Sequence, residues 1–298
     1  MAQAGGPRHE PVLLAETMEL LQVKAGGLYV DGTVGLGGHA EEMLRRSAPG
    51  GRLVAFDRDP AALEASRARL APFADRVRFE HADYREIPDR LGADAPDGVL
   101  LDMGVSSMQL DEADRGFSFN AEGPLDMRMD PTEGFTAADL VNRLPERELA
   151  DVIYRWGEEH ASRRIARAIV DTRRRRPFST TTELAEVVRR AAGRSRRPGL
   201  DPATKTFQAL RIHVNRELEG LGDALARIAG VLASGGRLAV IAFHSLEDRE
   251  VKQTFRLLAT RGFRILTKKP LVPGDEEMAR NPRSRSAKLR AIERVPCA

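Results

Sequence analysis

Four aspartates follow short apolar runs of the sequence: Asp31, Asp57, Asp83 and Asp102. After Asp31 the chain has the pattern Gly35-x-Gly37-x-x-Ala40, and Asp57 follows Gly37 by 20 residues. This is the spacing of a dinucleotide fingerprint followed by an acid that binds ribose hydroxyls. Glycine lets the backbone approach a ligand, and a carboxylate accepts two hydroxyl hydrogen bonds. A tight turn from strand to helix needs glycine even without a ligand, so the pattern alone does not identify the site.

The position of Asp31 distinguishes between nucleotide cofactors. A carboxylate directly at the end of the first strand would repel a pyrophosphate, whereas it suits a cationic ligand such as a sulfonium amino acid. Asp83 follows the third apolar run, where methyltransferases contact the adenine region. These features favour S-adenosylmethionine over NAD, and an NAD-dependent oxidoreductase is kept as the alternative enzyme class.

Several candidate residues have a structural interpretation beside the functional one. A carboxylate such as Asp102, at the end of a central parallel strand, faces the crevice where α/β proteins bind ligands, and its structural alternative is to cap the next turn. His39 is a candidate ligand contact or a solvent-facing residue of a first helical turn. Tyr84 is a candidate adenine platform or an edge packing residue. His244 is equally compatible with a core position or a site position, and His213 is most simply structural.

Alternating strands and helices must position these residues. Apolar runs alternate with helical segments at the spacing of βαβ units, which predicts a parallel sheet. Between Asp102 and the next strand, 237–243, lie 134 residues, whereas a crossover needs only about a dozen residues. We therefore predict a first domain part over 1–109, an inserted helical domain over 110–205 that binds the substrate, and a second domain part over 206–298. The predicted strands are 28–31, 53–56, 77–81, 99–101, 237–243, 263–266 and 289–292.

The helical character of the insertion follows from its apolar spacing. Leu149, Val152, Ile153 and Trp156 would lie on one helix face. Thr180–Glu183 has the spacing of a capping box that begins another helix. We predict a further helix over 206–218, continued by an apolar stripe from Leu218 to Leu232. Two aromatic residues before the insertion, Phe117 and Phe119, are predicted to anchor a loop, with base stacking as the less favoured alternative.

The charge of the chain is unevenly distributed. Its 298 residues carry 47 basic and 44 acidic side chains, a net charge of +3, but residues 155–197 hold 13 arginines against five acids. A second basic cluster lies between 280 and 290. Such blocks suggest a polyanionic partner. The alternative is that the arginines, including the run Arg173–Arg176, are solvated helix faces.

Composition excludes several classes of protein. A hydrophobic fraction of 42% can supply a core. The only cysteine, Cys297, excludes an internal disulfide framework and a thiolate zinc site, and no metal is implied. With no long apolar run and no charged leader, a cytoplasmic protein without a membrane span is expected. The oligomeric state stays open.

Longer motifs show a family resemblance that covers almost the whole chain in order. The matching segments are His9–Leu14, Asp31–His39, Leu101–Ser107, Asp114–Phe119, Gly123–Asp130, Gln208–Ile212, Phe243–Arg249 and Asn281–Ser286. In these segments the chain resembles the bacterial small-subunit ribosomal RNA cytosine-N4-methyltransferases, the methyltransferase H family. The block that runs from Leu101 to Asp130 is far more specific than the glycine loop.

The resemblance implies an α/β class I (Rossmann-like) S-adenosylmethionine-dependent methyltransferase with a mostly parallel sheet and an inserted helical domain. It implies methylation of N4 of one cytidine, position 1402, in the decoding centre of 16S rRNA, with that RNA or the small ribosomal subunit as partner. The implied cofactor contacts are Gly37, Gly38, His39, Asp57, Tyr84, Asp102 and Gln109. The chain departs from the family pattern at Tyr84, where phenylalanine is frequent, and at Met108, where proline is frequent.

The implied reaction leaves the catalytic group open. The lone pair of the cytosine amine is delocalised into the ring, and the Asn/Asp-Pro-Pro-aromatic motif of many amino methyltransferases is absent after Asp102. Asp102, Ser106 or a backbone carbonyl is a candidate to polarise the amine. No cysteine is there for the covalent mechanism of C5-cytosine enzymes. For the RNA backbone we predict contacts with Arg173, Arg174, Arg175, Arg176, Arg283 and Arg285. An RNA-binding assembly factor with a vestigial glycine loop is the non-enzymatic alternative.

Overall fold

The computed structural model describes residues 10–193 and 199–296. Outside these described residues lie His9, which begins the first matching segment, Cys297, and three of the 13 arginines counted over 155–197, namely Arg194, Arg196 and Arg197.

A seven-stranded sheet carries the fold. Its strands are β1 (Leu28–Asp31), β2 (Arg52–Asp57), β3 (Val77–His81), β4 (Gly98–Asp102), β5 (Arg237–Ala242), β6 (Phe263–Ile265) and β7 (Lys288–Arg294). The strand order is β3-β2-β1-β4-β5-β7-β6. The neighbouring pairs among β1 to β5 are parallel, and β7 runs antiparallel to β5 and β6. The expected α/β class I methyltransferase fold is confirmed.

The central strands are continuous apolar runs because parallel strands are covered on both faces. All four residues of β1 are buried, and so are the first four of β4. In register, Val30 stands beside Val54 of β2 and Val99 of β4. The acids that end these strands, Asp31 and Asp102, thereby arrive at the same edge of the sheet.

The helices surround the strands or form the insertion. They are α1 (Leu14–Leu21), α2 (Gly38–Arg46), α3 (Pro60–Leu70), α4 (Ile87–Arg90), α5 (Ser107–Asp111), α6 (Ala137–Arg143), α7 (Glu146–Gly157), α8 (Ser162–Arg173), α9 (Thr181–Ala192), α10 (Thr204–Val214), α11 (Leu221–Val231), α12 (Ser245–Leu258) and α13 (Asp275–Arg280). Within the described part of the chain, none of the helices combines the length and the apolar character needed to cross a bilayer.

The chain divides into two compact units, one of residues 1–104 with 220–298 and one of residues 105–219. The first unit contains the whole sheet, and the second contains α5 to α10. Leu149, Val152 and Ile153 of α7 are buried in the second unit, while Trp156 is only partly buried. Thr180 caps α9 through the predicted box with Glu183. The predicted limits of the insertion, 110–205, lie inside the second unit, and its substrate-binding role stays a prediction.

The predicted helix over 206–218 is wrong at its end. Helix α10 stops at Val214 because the Asn215 side chain bonds two other backbone groups: it donates to the Met127 carbonyl at 2.7 Å and accepts from the Met129 NH at 2.7 Å. Arg216 then adopts a positive φ of 49°, which breaks the helical path. Leu218 therefore lies outside α11, which begins at Leu221.

Candidate functional site

The carboxyl edge of the sheet has a topological switch point between β1 and β4. From β1 the chain passes to β2 and β3 on one side, whereas β4 continues to β5 on the other. Such a crevice is where open α/β sheets bind ligands. Asp31, Asp57 and Asp102 end the strands β1, β2 and β4 at this edge. The structure thus brings three of the four aspartates from the sequence into one cluster.

The glycine-rich turn after β1 is tied to β2. The Val34 NH donates to the Phe56 carbonyl at 2.8 Å, and the Gly35 NH donates to Oδ2 of Asp57 at 2.8 Å. Gly37 has a positive φ of 76° where α2 begins. A Cβ at Gly38 would collide with the ring of Pro11, so this position needs glycine for packing as well.

The carboxyls of Asp31 and Asp57 resist ionisation. Burial raises the pKa of Asp31 to about 7, against a hydrogen bond from the Thr33 NH at 3.2 Å that favours the charged form. Burial likewise raises the pKa of Asp57 to about 6, although the NH groups of Asp59 and Gly35 donate to its two oxygens. Each group would gain from a nearby positive charge.

The carboxyl of Asp102 resists ionisation as well. Burial raises the pKa of its carboxyl well above the usual range, and Asp31 and Glu247 add to this effect. Its backbone NH donates to Oγ1 of Thr33 at 2.7 Å. Its Oδ1 atom is buried and has no hydrogen-bond partner among the residues that the structure describes. A buried acceptor without a donor is costly unless a ligand supplies one.

His39 is buried, with 6% of its surface exposed, so the solvent-facing alternative is wrong. Its Nε2 lies 2.9 Å from the carbonyl of Val12, and its Nδ1 lies 3.5 Å from Oδ2 of Asp102. The ring thus bridges the segment before α1 and the end of β4. Packing of α2 against the sheet turns this side chain inward.

Tyr84 begins a short 3-10 turn after β3 and is buried. The Cβ atom of Tyr84 lies beside Gly32. A Cβ added at Gly32 would collide with the side chain of Leu101. The guanidinium of Arg85 stands 4.7 Å from the centre of the Tyr84 ring. Asp83 caps this turn and pairs with Arg85 at 2.9 Å. Adenine stacking on Tyr84 stays a prediction.

Ser106 and Gln109, in the second unit, cap each other at the start of α5. The Ser106 hydroxyl accepts from the Gln109 NH at 3.2 Å, and the Gln109 side-chain oxygen accepts from the Ser106 NH at 3.0 Å. This box explains both residue types locally, and their catalytic and cofactor roles stay predictions. Nearby in this unit Phe119 packs edge-on against Phe207 at 4.7 Å, as an anchoring role requires.

The four arginines of the run 173–176 are not equivalent. Arg173 donates to the carbonyls of Val141 and Leu144 at 2.6 and 2.7 Å, so its guanidinium is committed to the end of α6. Arg174 and Arg176 are exposed and paired with Asp171 and Glu183, at 3.1 and 2.7 Å. Arg175 is exposed as well. The expectation that all four are available to a phosphate backbone is therefore corrected for Arg173.

The C-terminal basic cluster is also divided. Arg283 and Arg285 are exposed in a 3-10 turn over Pro282–Ser286. Arg290, by contrast, is buried and pairs with Asp248 at 2.6 Å. Its burial removes it from any RNA contact that the sequence suggested for the cluster.

Three residues acquire a role only from the structure. Thr33 ties the turn after β1 to Asp102. His244 accepts from the Glu247 NH at 3.3 Å and caps α12, which favours the structural interpretation of this histidine. Glu247 is fully buried and accepts from the Phe243 NH at 2.9 Å. Each of the three had a sequence signal: Thr33 lies inside the glycine-rich motif, and His244 and Glu247 lie in the matching segment Phe243–Arg249.

The residues of the first unit fit a positively charged nucleoside ligand. The buried carboxyls of Asp31 and Asp102 favour a cation, and Oδ1 of Asp102 needs a donor. Asp57 has acceptor capacity left for ribose hydroxyls, since each carboxylate oxygen can accept two bonds. The glycine turn allows close backbone approach. This donor and acceptor set matches S-adenosylmethionine.

Comparisons with known proteins agree with this chemistry. The family model described as the MraW methylase family matches residues 7–295. The ribosomal RNA small subunit methyltransferase H of Acidobacterium capsulatum is 52% identical over 296 residues, which cover 96% of this chain and 98% of that protein. The protein of the same name from Carboxydothermus hydrogenoformans is 49% identical over 306 residues, with coverage of 96% and 98%.

Solved structures show more distant likenesses. An rRNA methylase from Streptococcus thermophilus gives a TM-score of 0.44 at 11% identity and covers 99% of both chains. A precorrin-6y C5,15-methyltransferase from Geobacter metallireducens gives a TM-score of 0.46 at 12% identity, covering 98% of this chain and 92% of its own. The fold assignment therefore rests on the sheet topology and the family match.

Proposed function

This chain belongs to the MraW methylase family and is an S-adenosylmethionine-dependent methyltransferase, and we propose that it methylates N4 of cytidine 1402 in the decoding centre of 16S rRNA. The names of the relatives support the RNA substrate. The observation that carries the chemistry is the buried Oδ1 of Asp102 at the carboxyl end of β4, which has no partner in the described part of the chain. A cytoplasmic location follows from the proposed ribosomal substrate.

The residues of the first unit would hold the cofactor. S-adenosylmethionine supplies a methyl group on a positively charged sulfur. Asp57 would accept the ribose hydroxyls, and Gly37 and Gly38 would let the backbone approach the ligand. Asp31 would face the cationic end, because a nearby positive charge favours the ionised form of this buried carboxyl. Tyr84 would pack against the adenine.

Asp102 is the proposed polar contact for the reacting amine. An amine N–H that donates to Oδ1 would satisfy the buried acceptor and orient the nitrogen lone pair away from the ring plane. Alignment of the nitrogen with the methyl group then supplies a large part of the rate. Ser106, committed to capping α5, and Gln109 are kept as secondary candidates that contact the substrate or the cofactor.

The RNA surface is proposed to lie on exposed arginines. An amine engaged in base pairing cannot present its lone pair, so the target cytidine must be unpaired or flipped. Arg174, Arg175 and Arg176 follow α8, whose solvent face carries three more exposed arginines: Arg163, Arg164 and Arg167. The planar guanidinium binds phosphate in a bidentate manner. Arg283 and Arg285 supply the second patch.

Mass mapping of 16S rRNA tests the proposal. Small subunits that lack the modification are incubated with the protein and isotope-labelled S-adenosylmethionine, and the labelled nucleotide is located by fragmentation. We expect one methyl group on cytidine 1402, at N4, and none on subunits with uridine at that position, because uridine has no exocyclic amine. Label at another base, or at a ring carbon of the cytidine, would overturn the proposal.

An Asp102→Asn variant tests the residue assignment. Asparagine keeps the shape of the side chain but loses the charge, so most of the methyl transfer should be lost while the thermal midpoint stays near that of the wild type. A loss of stability with a proportionate loss of activity would instead assign Asp102 a structural role.

A further inference from the structure

The contacts of His39 determine which of its ring nitrogens carries a proton. Nε2 lies 2.9 Å from the carbonyl oxygen of Val12, and a carbonyl only accepts hydrogen bonds. Nε2 must therefore be the N–H nitrogen. In a neutral ring this leaves a bare lone pair on Nδ1, the nitrogen that faces Oδ2 of Asp102 at 3.5 Å.

Two lone pairs that face each other in a buried site repel. The His39 ring is buried and 22% of the Asp102 side chain is exposed, so water screens the contact only in part. One proton placed between Nδ1 and Oδ2 removes the repulsion, whether it resides on the imidazole or on the carboxyl. Both arrangements leave the pair with no net charge.

We propose that His39 and Asp102 share a single proton, and that His39 is the positioning residue that holds the Asp102 carboxyl in place and sets its charge. The proposal deepens the proposed methyl-transfer function, on which its catalytic consequence rests. A ligand cation would draw the shared proton toward His39 and leave Asp102 ionised. The hydrogen bond that Nε2 donates to Val12 holds the ring in the orientation that this exchange needs.

Among the described residues, the charged groups shown to act on Asp102 from neighbouring elements are acids. Asp31 on β1 and Glu247 on α12 both disfavour ionisation of Asp102, and Asp57 on β2 acts on Asp31 in the same way. His39 is the cation-forming group that faces this cluster from α2. An imidazole among several buried carboxyls is thus the natural holder of a proton whenever Asp102 is ionised.

Nitrogen NMR of the ligand-free protein tests the proposal. The six histidines are labelled with 15N in their rings, and His39 is assigned by the loss of its signals in a His39→Gln variant. We expect Nε2 of His39 to carry a proton throughout pH 5–9. A ring in which Nδ1 carries the only proton, with Nε2 bare, would overturn the proposal without the use of any other variant.

A comparison with Asp102→Asn gives the second measurement. In the wild type, the pair should release its shared proton at a pH at least one unit higher than the pH at which the His39 ring of Asp102→Asn releases its proton. One pH unit corresponds to a tenfold difference in proton affinity. Asp57→Asn is the matched control, because it leaves both members of the pair in place. It should change the pH of proton release by less than half of the change seen with Asp102→Asn. Equal proton affinity in wild type and Asp102→Asn would overturn the proposal. Neither readout requires methyl transfer, so failure of the proposed function would be seen separately in the mapping of labelled RNA.

Discussion

The hydroxyl oxygen of Thr33 accepts a hydrogen bond of 2.7 Å from the backbone NH of Asp102. This bond joins the glycine-rich turn after β1 to the end of β4, two segments 69 residues apart in the sequence. Thr33 also donates its own NH to Asp31 at 3.2 Å. Thr33 thus connects the carboxyl of Asp31 to the backbone of Asp102 across the switch point.

Thr33→Val should therefore destabilise the carboxyl edge of the sheet. Valine has the same shape but leaves the Asp102 NH without its acceptor, at a cost of about 1–3 kcal/mol in the free energy of unfolding. Thr33→Ser keeps the hydroxyl and should recover most of the loss. Urea unfolding of the three proteins measures both effects, and a valine variant as stable as the wild type would show that this bond contributes nothing.

Asp57→Ala should weaken the binding of S-adenosylmethionine. The variant loses the acceptor for the ribose hydroxyls, and hydrogen bonds to charged groups contribute about 1.5–3 kcal/mol each. We expect at least a tenfold higher Kd by calorimetry, with a smaller increase for Asp57→Asn, which retains one acceptor oxygen. Unchanged affinity in a folded alanine variant would exclude Asp57 from the cofactor site.

The stability of the ligand-free protein should fall as the pH rises from about 4 to about 7. The pKa of Asp31 is raised to about 7 and that of Asp57 to about 6, from an ordinary value of 3.8. In this range the folded protein holds protons that the unfolded chain has released, so rising pH favours unfolding. Urea unfolding at several pH values measures the slope. Asp31→Asn removes one of the carboxyls with a raised pKa and should flatten the slope, and identical slopes would contradict the raised pKa of Asp31.

Replacement of Arg174, Arg175 and Arg176 by glutamine should lower RNA affinity and its salt dependence. For each phosphate that the variant no longer neutralises, the slope of log K against log salt should decrease by roughly 0.7–0.9. Phosphate contacts carry no sequence information, so affinity should fall equally for different RNAs. The matched control replaces Arg45, Arg46 and Arg90, three exposed arginines that also pair with acids. If both triple variants show the same slope as the wild type, residues 174–176 are a solvated surface.

Arg173→Gln should lower the free energy of unfolding and leave the salt dependence of RNA binding unchanged. Its two hydrogen bonds hold the carbonyls of Val141 and Leu144, at the end of α6. Their loss should reduce the free energy of unfolding by about 1–3 kcal/mol, because partly buried carbonyls lose their donor. The salt slope of RNA binding should stay that of the wild type. A changed slope without loss of stability would return Arg173 to the RNA surface.

The sheet could be predicted from the sequence because its central strands are buried on both faces. This environment demands continuous apolar runs, which stand out in β1, β2 and β4 and end in acids that are visible in the sequence. The end of α10 could not be predicted in the same way. It depends on Asn215, whose partners Met127 and Met129 lie more than 80 residues earlier in the chain.

The sequence by itself determined the family, the fold class and the three aspartates that end strands β1, β2 and β4, since motif order and hydrophobic periodicity are properties of the linear chain. Only the tertiary structure decided what each charged group does. Arg173 and Arg174 are neighbours in sequence, yet one donates to backbone carbonyls and the other lies exposed beside Asp171. Likewise, His39 turns inward toward Asp102, which only the packing of α2 against the sheet could determine. Burial and hydrogen-bond partners fix the charge and availability of a side chain, and those partners come from distant parts of the chain.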